Sequence, residues 1–159
     1  MRDLMNSHSF KAVLGNGAQI AATAHSDSVD VTALNGGNNG LEFAVAVGVV
    51  TDGTHTFTVE DSIDGGSTYQ TVAAPYLQTP AGQSAVVTSA TAAKTILKFG
   101  YLGNPNIPTI TQSAGYPVTN PNGHLVLVRV TNTVSGSPGT GGYFTVIAHL
   151  GYPANEPAV

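Results

Sequence analysis

The sequence contains no cysteine and no tryptophan, and it contains few charged residues. Without cysteine, disulfide bonds, thiolate metal ligands and thiol nucleophiles are excluded. Charged residues make up 9% of the 159 residues, and nine acidic residues outnumber five lysines and arginines, which gives a net charge of −4. So few cations cannot neutralise a phosphate backbone, and we therefore predict that the protein has no nucleic-acid partner.

Long hydrophobic segments are absent as well. The longest apolar run, residues 43–50, is too short to span a bilayer, and residues 1–8 lack the apolar stretch of a signal peptide. We therefore expect a protein that has no membrane partner and is made in the cytoplasm of its producing cell.

The residues that are present favour strands and turns. Apolar residues make up 42% of the chain, which argues against disorder at this low net charge, and there are 19 glycines and 9 prolines. The lysine, arginine and glutamate that cover helix surfaces are scarce, whereas threonine favours strands and glycine, asparagine and proline favour turns. This composition predicts an all-β protein.

The strongest strand signals lie in the first half of the chain. The apolar run at 41–50 is typical of a central strand that is covered on both faces, and residues 55–60 alternate between apolar and polar. Asp52 and Gly53 supply a tight turn between these strands, and a third strand follows at 68–73. We therefore predict a meander of three neighbouring strands.

Further strands are predicted at regular spacing, at residues 18–24, 29–33, 85–88, 95–102, 124–133 and 143–150. The glycine-rich segment 135–142 joins the last two as a loose hairpin. A total of about eight or nine short antiparallel strands is typical of a sandwich, a jelly roll or a small barrel, and of these we favour a jelly-roll-like β-sandwich. We expect one sandwich domain at residues 17–153, an extended N-terminal arm at 1–16 and a C-terminal tail at 154–159.

Two segments outside this strand pattern carry apolar side chains that are candidates for contacts with other subunits. The arm has no regular hydrophobic period, and a proline-rich loop at 103–123 is long for a compact domain. Each segment either stays on its own sandwich or frays at the surface, or it contacts another subunit. The candidate interaction residues are Leu4, Met5, Phe10, Val13 and Leu14 in the arm and Ile107, Ile110 and Tyr116 in the loop.

Patterns of catalysis and metal binding are sparse. None of the five histidines stands two or four residues from another, which is the spacing of paired metal ligands. Asp52, Glu60, Asp61 and Asp64 fit turn chemistry better than a calcium-binding EF-hand, because Thr71 stands where the closing glutamate belongs. We find no serine elbow and no phosphate-binding loop. We predict a non-enzymatic protein without a metal or cofactor, although a glycosidase-type carboxylate pair stays open at this point.

Several segments, taken in order, resemble small structural proteins of tailed-bacteriophage virions. They are TDGTHTFTVEDSIDGGSTY at 51–69, KFGYLG at 98–103, LVRVT at 127–131, GGY at 141–143 and GYP at 151–153. The resemblance implies a capsid decoration (cement) protein, which binds major capsid protein subunits at the outer capsid surface and stabilises the assembled head. It also implies a jelly roll or sandwich that forms a homo-oligomer, with a trimer favoured over a dimer, and it brings no catalytic residues.

The chain departs from this group in its proline-rich insertion at 103–123, and it lacks a second basic residue near Arg129. Two other functions remain as alternatives. One is a tail, neck or fibre component of the same particle, which would differ in copy number. The other is a carbohydrate-binding module, which would need tyrosines gathered on one exposed face.

Overall fold

The computed structural model describes residues 9–15, 18–31, 41–102 and 126–150. The strands in these residues are β1 (Ser9–Leu14), β2 (Gln19–Ile20), β3 (Ala24–His25), β4 (Val29–Asp30), β5 (Leu41–Val50), β6 (Thr54–Ser62), β7 (Gln70–Thr71), β8 (Leu77–Gln78), β9 (Val86–Val87), β10 (Ile96–Tyr101), β11 (Leu127–Ser135) and β12 (Gly142–Leu150). A single 3-10 turn, Ala74–Tyr76, precedes β8. The described part of the chain is therefore all-β, as its composition predicts.

The strands form two antiparallel sheets that pack against each other. Sheet A has the order β1-β12-β5-β10-β8, with β2 also paired to β12. Sheet B has the order β3-β11-β6-β7, with β4 on β11 and β9 on β6. Successive long strands alternate between the sheets, since β5 in sheet A is followed by β6 in sheet B, and β11 in sheet B by β12 in sheet A. This is the wrapping of a jelly roll, and it confirms the predicted jelly-roll-like β-sandwich.

Two predicted hairpins are wrong. The pattern around Asp52 and Gly53 predicts that β5 and β6 are neighbours, and segment 135–142 predicts the same for β11 and β12, but both connections cross between the sheets. Each of these strands has one mainly buried face, and the sheet order places a strand and its successor in opposite sheets, on either side of the core, instead of side by side. The other half of the predicted meander is confirmed, because β7 pairs with β6.

The core lies between the sheets and is filled by alternate residues of the long strands. Phe43 and Val45 of β5 and Phe57 and Val59 of β6 belong to one buried cluster. The ring of Phe144 on β12 meets that of Phe57 edge to face, with the centroids 5.1 Å apart. Burial of each such side chain contributes about 1.5–3 kcal/mol, which makes this cluster the main source of stability.

Strand β5 is covered on one face only, so the predicted burial of both faces is wrong. Its burial alternates along the strand: Phe43 and Val45 are buried, whereas Ala44, Ala46 and Gly48 are partly exposed. The run appears continuous in the sequence because small apolar residues occupy the outward positions. This outward row becomes important for the surface described below.

Residues 9–14, which the sequence pattern places in the N-terminal arm, form strand β1 at the edge of sheet A. Val13 is buried in the core, Leu14 packs against it, and the Val13 carbonyl accepts a 2.7 Å hydrogen bond from the Asp27 N–H. The assignment of this part of the chain to an arm is therefore wrong, because the jelly roll uses it as the strand beside β12. In the same strand, the backbone of Phe10 pairs with that of His149.

The remaining candidate interaction residues, Leu4, Met5, Ile107, Ile110 and Tyr116, lie outside the described residues. The proline-rich loop at 103–123 and the tail at 154–159 lie outside them too. Among the described residues, no helical segment has the length and hydrophobicity that a membrane span requires.

Candidate interaction surfaces

The outward side of sheet A is a surface of small and aliphatic residues, which we call the A face. It consists of Glu42, Ala44, Ala46 and Gly48 on β5, Tyr143, Thr145, Ile147 and His149 on β12, and Ile96 and Lys98 on β10. The strand register places Ala44 between Lys98 and Ile147, and it places Ala46 between Ile96 and Thr145. The middle row is therefore lower than the two rows beside it, and the A face has a furrow along β5.

A shallow groove of about 390 Å³ lies at one end of this furrow, and we call it the Gly48 groove. Ala46 and Gly48 line it together with Ile96 and Tyr143, which are 57% and 40% exposed. A Cβ atom on Gly48 would lie 2.9 Å from the Cβ of Tyr143, so only glycine leaves this groove open. The walls of the groove are thus exposed apolar side chains, and its floor consists of the two smallest residue types, alanine and glycine.

Lys94 lines the same groove and has an unusual backbone conformation. Its φ of +72° lies in the left-handed region, which costs a residue with a side chain about 1–2 kcal/mol. The conformation is held by hydrogen bonds on both sides of Val47, whose carbonyl accepts the Lys94 N–H and whose N–H donates to the Thr95 carbonyl, each at 2.8 Å. Lysine therefore occupies a position whose backbone conformation glycine would adopt without strain.

Charge on the A face is confined to its margins. Glu42 and Lys98 form an exposed ion pair with a separation of 3.6 Å between the carboxylate and ammonium groups. A solvent-exposed pair of this kind contributes about 0–1 kcal/mol. Its main effect is to mark the end of the A face opposite the Gly48 groove.

The outward side of sheet B is polar and contains a closed network around Glu60. One carboxylate oxygen of Glu60 accepts hydrogen bonds from Arg129 Nε at 2.8 Å and from the Thr131 hydroxyl at 2.7 Å, and Arg129 Nη2 lies 2.8 Å away. The guanidinium of Arg129 also stacks on the Tyr69 ring, 3.7 Å from its centroid. Glu60 is therefore the ion-pair partner of Arg129 within sheet B.

His25 extends the network. Because the Thr131 hydroxyl donates to Glu60, its oxygen is available to accept, and His25 Nδ1 lies 2.9 Å from that oxygen. This arrangement assigns the ring proton to Nδ1. No local pattern in the sequence indicates this cluster, since its hydrogen-bonded members come from three strands that are far apart along the chain.

Two further polar contacts lie inside the sandwich. His55 is fully buried, with Nδ1 3.2 Å from the Asn132 amide nitrogen and Nε2 3.3 Å from the Asp52 carbonyl oxygen. Asn132 Oδ1 has no hydrogen-bond partner among the residues that the structure describes. The Tyr101 hydroxyl of β10 donates to Asp61 Oδ2 of β6 at 3.0 Å and so ties the two sheets together. Burial, followed by the neighbouring Asp61 carboxylate, raises the pKa of Tyr101 well above its ordinary value.

Asp52 and Asp64 act in turns and connections, as predicted, whereas Glu60 and Asp61 lie in strand β6, so the turn prediction is wrong for these two residues. Asp64 accepts hydrogen bonds from the Ser62 hydroxyl at 2.7 Å and from the Thr68 hydroxyl at 2.6 Å, and these bonds lower its pKa far below the ordinary value. The Asp52 carboxylate accepts N–H groups of Gly139 and Gly141 in the opposite sheet-crossing segment. Across the described ranges, no group of three or more histidine and acidic side chains is placed to hold a metal ion.

The described tyrosines are dispersed over the molecule. Tyr101 is buried in the core, Tyr76 packs against the core, Tyr69 lies under Arg129, and Tyr143 lies on the A face. This placement differs from the single tyrosine-lined face that a carbohydrate-binding module would need. Comparison with protein families, curated proteins and solved structures finds no match to this chain.

The A face was not among the sites predicted from the sequence. The signal was present, because alanine, alanine and glycine alternate with large apolar residues at 44–48. This pattern also predicts a strand that is buried on both sides, because sequence alone does not distinguish small outward residues that are covered from those that are exposed.

Proposed function

We propose that the protein is a non-enzymatic structural component of a bacteriophage virion, and that it decorates and stabilises the assembled head. Its partner in this proposal is the major capsid protein at the outer capsid surface. The A face is the observation that carries the proposal, because an open, weakly charged sheet surface with a groove is suited to adhesion by shape. The jelly-roll wrapping and the resemblance of segments 51–69 and 127–131 support the same function.

The placement of the carboxylates supports a structural function too. Glu60 is engaged by Arg129 and Thr131, and Asp64 is engaged by its own turn. Asp52 fastens one sheet-crossing segment to the other. Each of these groups stabilises local backbone or side-chain structure, which is the use expected in a protein that acts by rigid attachment.

Such a protein would stabilise a capsid by mass action. A ligand that binds the assembled shell and not the free subunits lowers the free energy of the assembled state.

The proposal is tested on particles of the phage that encodes the chain. Purified particles are analysed by quantitative mass spectrometry, and we expect the protein in proportion to the major capsid protein. Heads from a deletion strain are then incubated with added protein and sedimented, and we expect wild-type protein in the pellet and greater resistance of the heads to heat. A copy number proportional to tail or neck proteins would favour that alternative, and absence from particles would contradict the proposal.

The matched variants are Ala46→Arg, which fills the furrow of the A face, and Thr133→Arg, which adds the same charge to the exposed outward side of sheet B. We expect the first to abolish pelleting with heads and the second to leave it intact. The reverse result would place the capsid contact on sheet B.

A further inference from the structure

We propose that the A face is a self-association surface, on which two copies of the protein pack face to face about a twofold axis, with Glu42 of each copy beside Lys94 of the other. This inference concerns the free protein: the dimer buries the same A face that the proposed function assigns to the capsid, so the two contacts exclude each other and capsid binding would replace the dimer. It differs from the trimer that the sequence resemblance favours. It is carried by the register of the A face, by the position of its charges and by the conformation of Lys94.

The strand register makes the A face complementary to itself. A twofold axis that crosses the strands midway between Ala44 and Ala46 lays β5 of one copy on β5 of the other. Ala44 of each copy then lies against Ala46 of its partner, and Ile96 lies against the aliphatic stem of the partner's Lys98. Small residues in the middle row allow two sheets to approach closely along this line.

The same axis brings opposite charges together. Glu42 and Gly48 lie at equal distances from the axis along β5, so Glu42 of one copy is placed over the Gly48 groove of the other. Lys94 lines that groove. The carboxylate and the ammonium group therefore meet at each end of the interface, and no pair of like charges on β5 is superimposed. Charge complementarity of this kind fixes orientation and discourages other alignments.

The strained backbone of Lys94 gives an independent reason to assign its side chain a task. Residues in the left-handed region that are not glycine persist where the surroundings impose them, and they concentrate at sites of function. Glycine at this position would satisfy the turn without the cost to stability. A lysine retained there is explained if its charge is used, and among the described residues no acidic side chain lines the groove to pair with it.

The test uses the full chain in sedimentation velocity over a wide concentration range at low salt. We expect wild-type protein to form a dimer, and we expect Glu42→Lys and Lys94→Glu each to weaken association by at least about tenfold, since each places like charges together at both ends of the interface. A mixture of these two variants should recover the dimer, because the heterodimer contains two complementary pairs. Lys11→Glu, on the outer strand β1, is the matched control and should associate like wild type.

A second variant separates the interface from folding. Lys94→Gly removes the charge and relieves the backbone, so we expect an equal or higher thermal midpoint together with weakened association. A monomer at every concentration would overturn the inference. A trimer, or a dimer that the mixed variants do not recover, would overturn it as well, whereas pelleting of the wild-type protein with heads is measured separately and tests the proposed function alone.

Discussion

The side-chain amide of Gln83 pairs with the backbone of Lys98 as a neighbouring strand residue would. Its Oε1 accepts the Lys98 N–H at 2.7 Å, and its Nε2 donates to the Lys98 carbonyl at 2.9 Å. Strand β8 covers only Gly100 and Tyr101 of β10, so Gln83 satisfies the next section of this outer strand. An uncovered strand edge is a template for pairing with another chain, and this amide blocks it.

Replacement of Gln83 by alanine should therefore weaken the fold and open the edge of sheet A. We expect Gln83→Ala to lower the free energy of unfolding by about 1 kcal/mol, measured by urea denaturation, because two hydrogen bonds are exchanged for bonds to water. We also expect faster aggregation on heating. Gln70→Ala, at an exposed strand position, should change neither quantity, and equal effects of the two variants would contradict this role of Gln83.

Asp52 should make the protein sensitive to acid. Hydrogen bonds from the backbone, chiefly from Gly141, hold the pKa of Asp52 below its ordinary value of 3.8. A lowered pKa in the folded state means that this contribution to stability is complete well above pH 3.8 and is lost as the pH falls through and below that value. In Asp52→Asn we expect lower stability at neutral pH and a shallower decline in acid, measured by urea midpoints along a pH series. Asp27→Asn, which alters an exposed ion pair, should follow the wild-type curve.

Tyr101 should give the opposite pH dependence at the alkaline end. Its raised pKa means that the stabilisation by the protonated hydroxyl is present below about the ordinary value of 10.0 and is lost as the pH rises beyond it. Tyr101→Phe removes the donor to the buried Asp61 carboxylate, and we expect a loss of about 1–3 kcal/mol at neutral pH. The variant should also lose less stability than wild type above pH 10, which Tyr76→Phe should not do.

Gly141 illustrates a glycine that two separate constraints require. It has a φ of +80°, and a Cβ at this position would lie 2.0 Å from the Ile20 carbonyl oxygen. Gly82 has a φ of +75°, and a Cβ there would meet nothing within 4 Å. We expect Gly82→Ala to lose about 1–2 kcal/mol from backbone strain alone, and Gly141→Ala to accumulate as insoluble protein. Similar thermal midpoints for the two variants would show that the corner near Gly141 adapts.

The sequence allows the strands to be predicted better than their neighbours. Period-two alternation at 55–60 identifies β6, and threonine-rich and valine-rich segments identify β11 and β12. Strand pairing depends on contacts across the whole chain, and the turn signal at Asp52-Gly53 is compatible with a hairpin and with a crossing between sheets. In the structure the connection crosses between the sheets, and the carboxylate of Asp52 binds the backbone of residues 139–141 in the other crossing connection. No local pattern could indicate this long-range contact.

The same reasoning explains why surfaces were harder to predict than the core. Val13 in β1 is apolar and follows no local period, so the sequence favoured a contact outside the sandwich, whereas β12 provides the partner strand inside it. The A face and the Glu60 network combine residues from separate strands, and their geometry exists only once the register is fixed. The resemblance to virion proteins supports the proposed function, but it implies neither the A face nor the Glu60 network.

Strand β12 is the last described strand along the chain, yet it lies in the middle of sheet A between β1 and β5. During synthesis, β1 and β5 leave the ribosome without the neighbour that joins them, and their apolar faces stay uncovered until the final strand emerges. β1 and β5 can be joined only after β12 has been synthesised, and closure of such distant pairings takes milliseconds to seconds. Until then these apolar faces are exposed to aggregation, so slower elongation between β5 and β12 should raise the yield of insoluble protein.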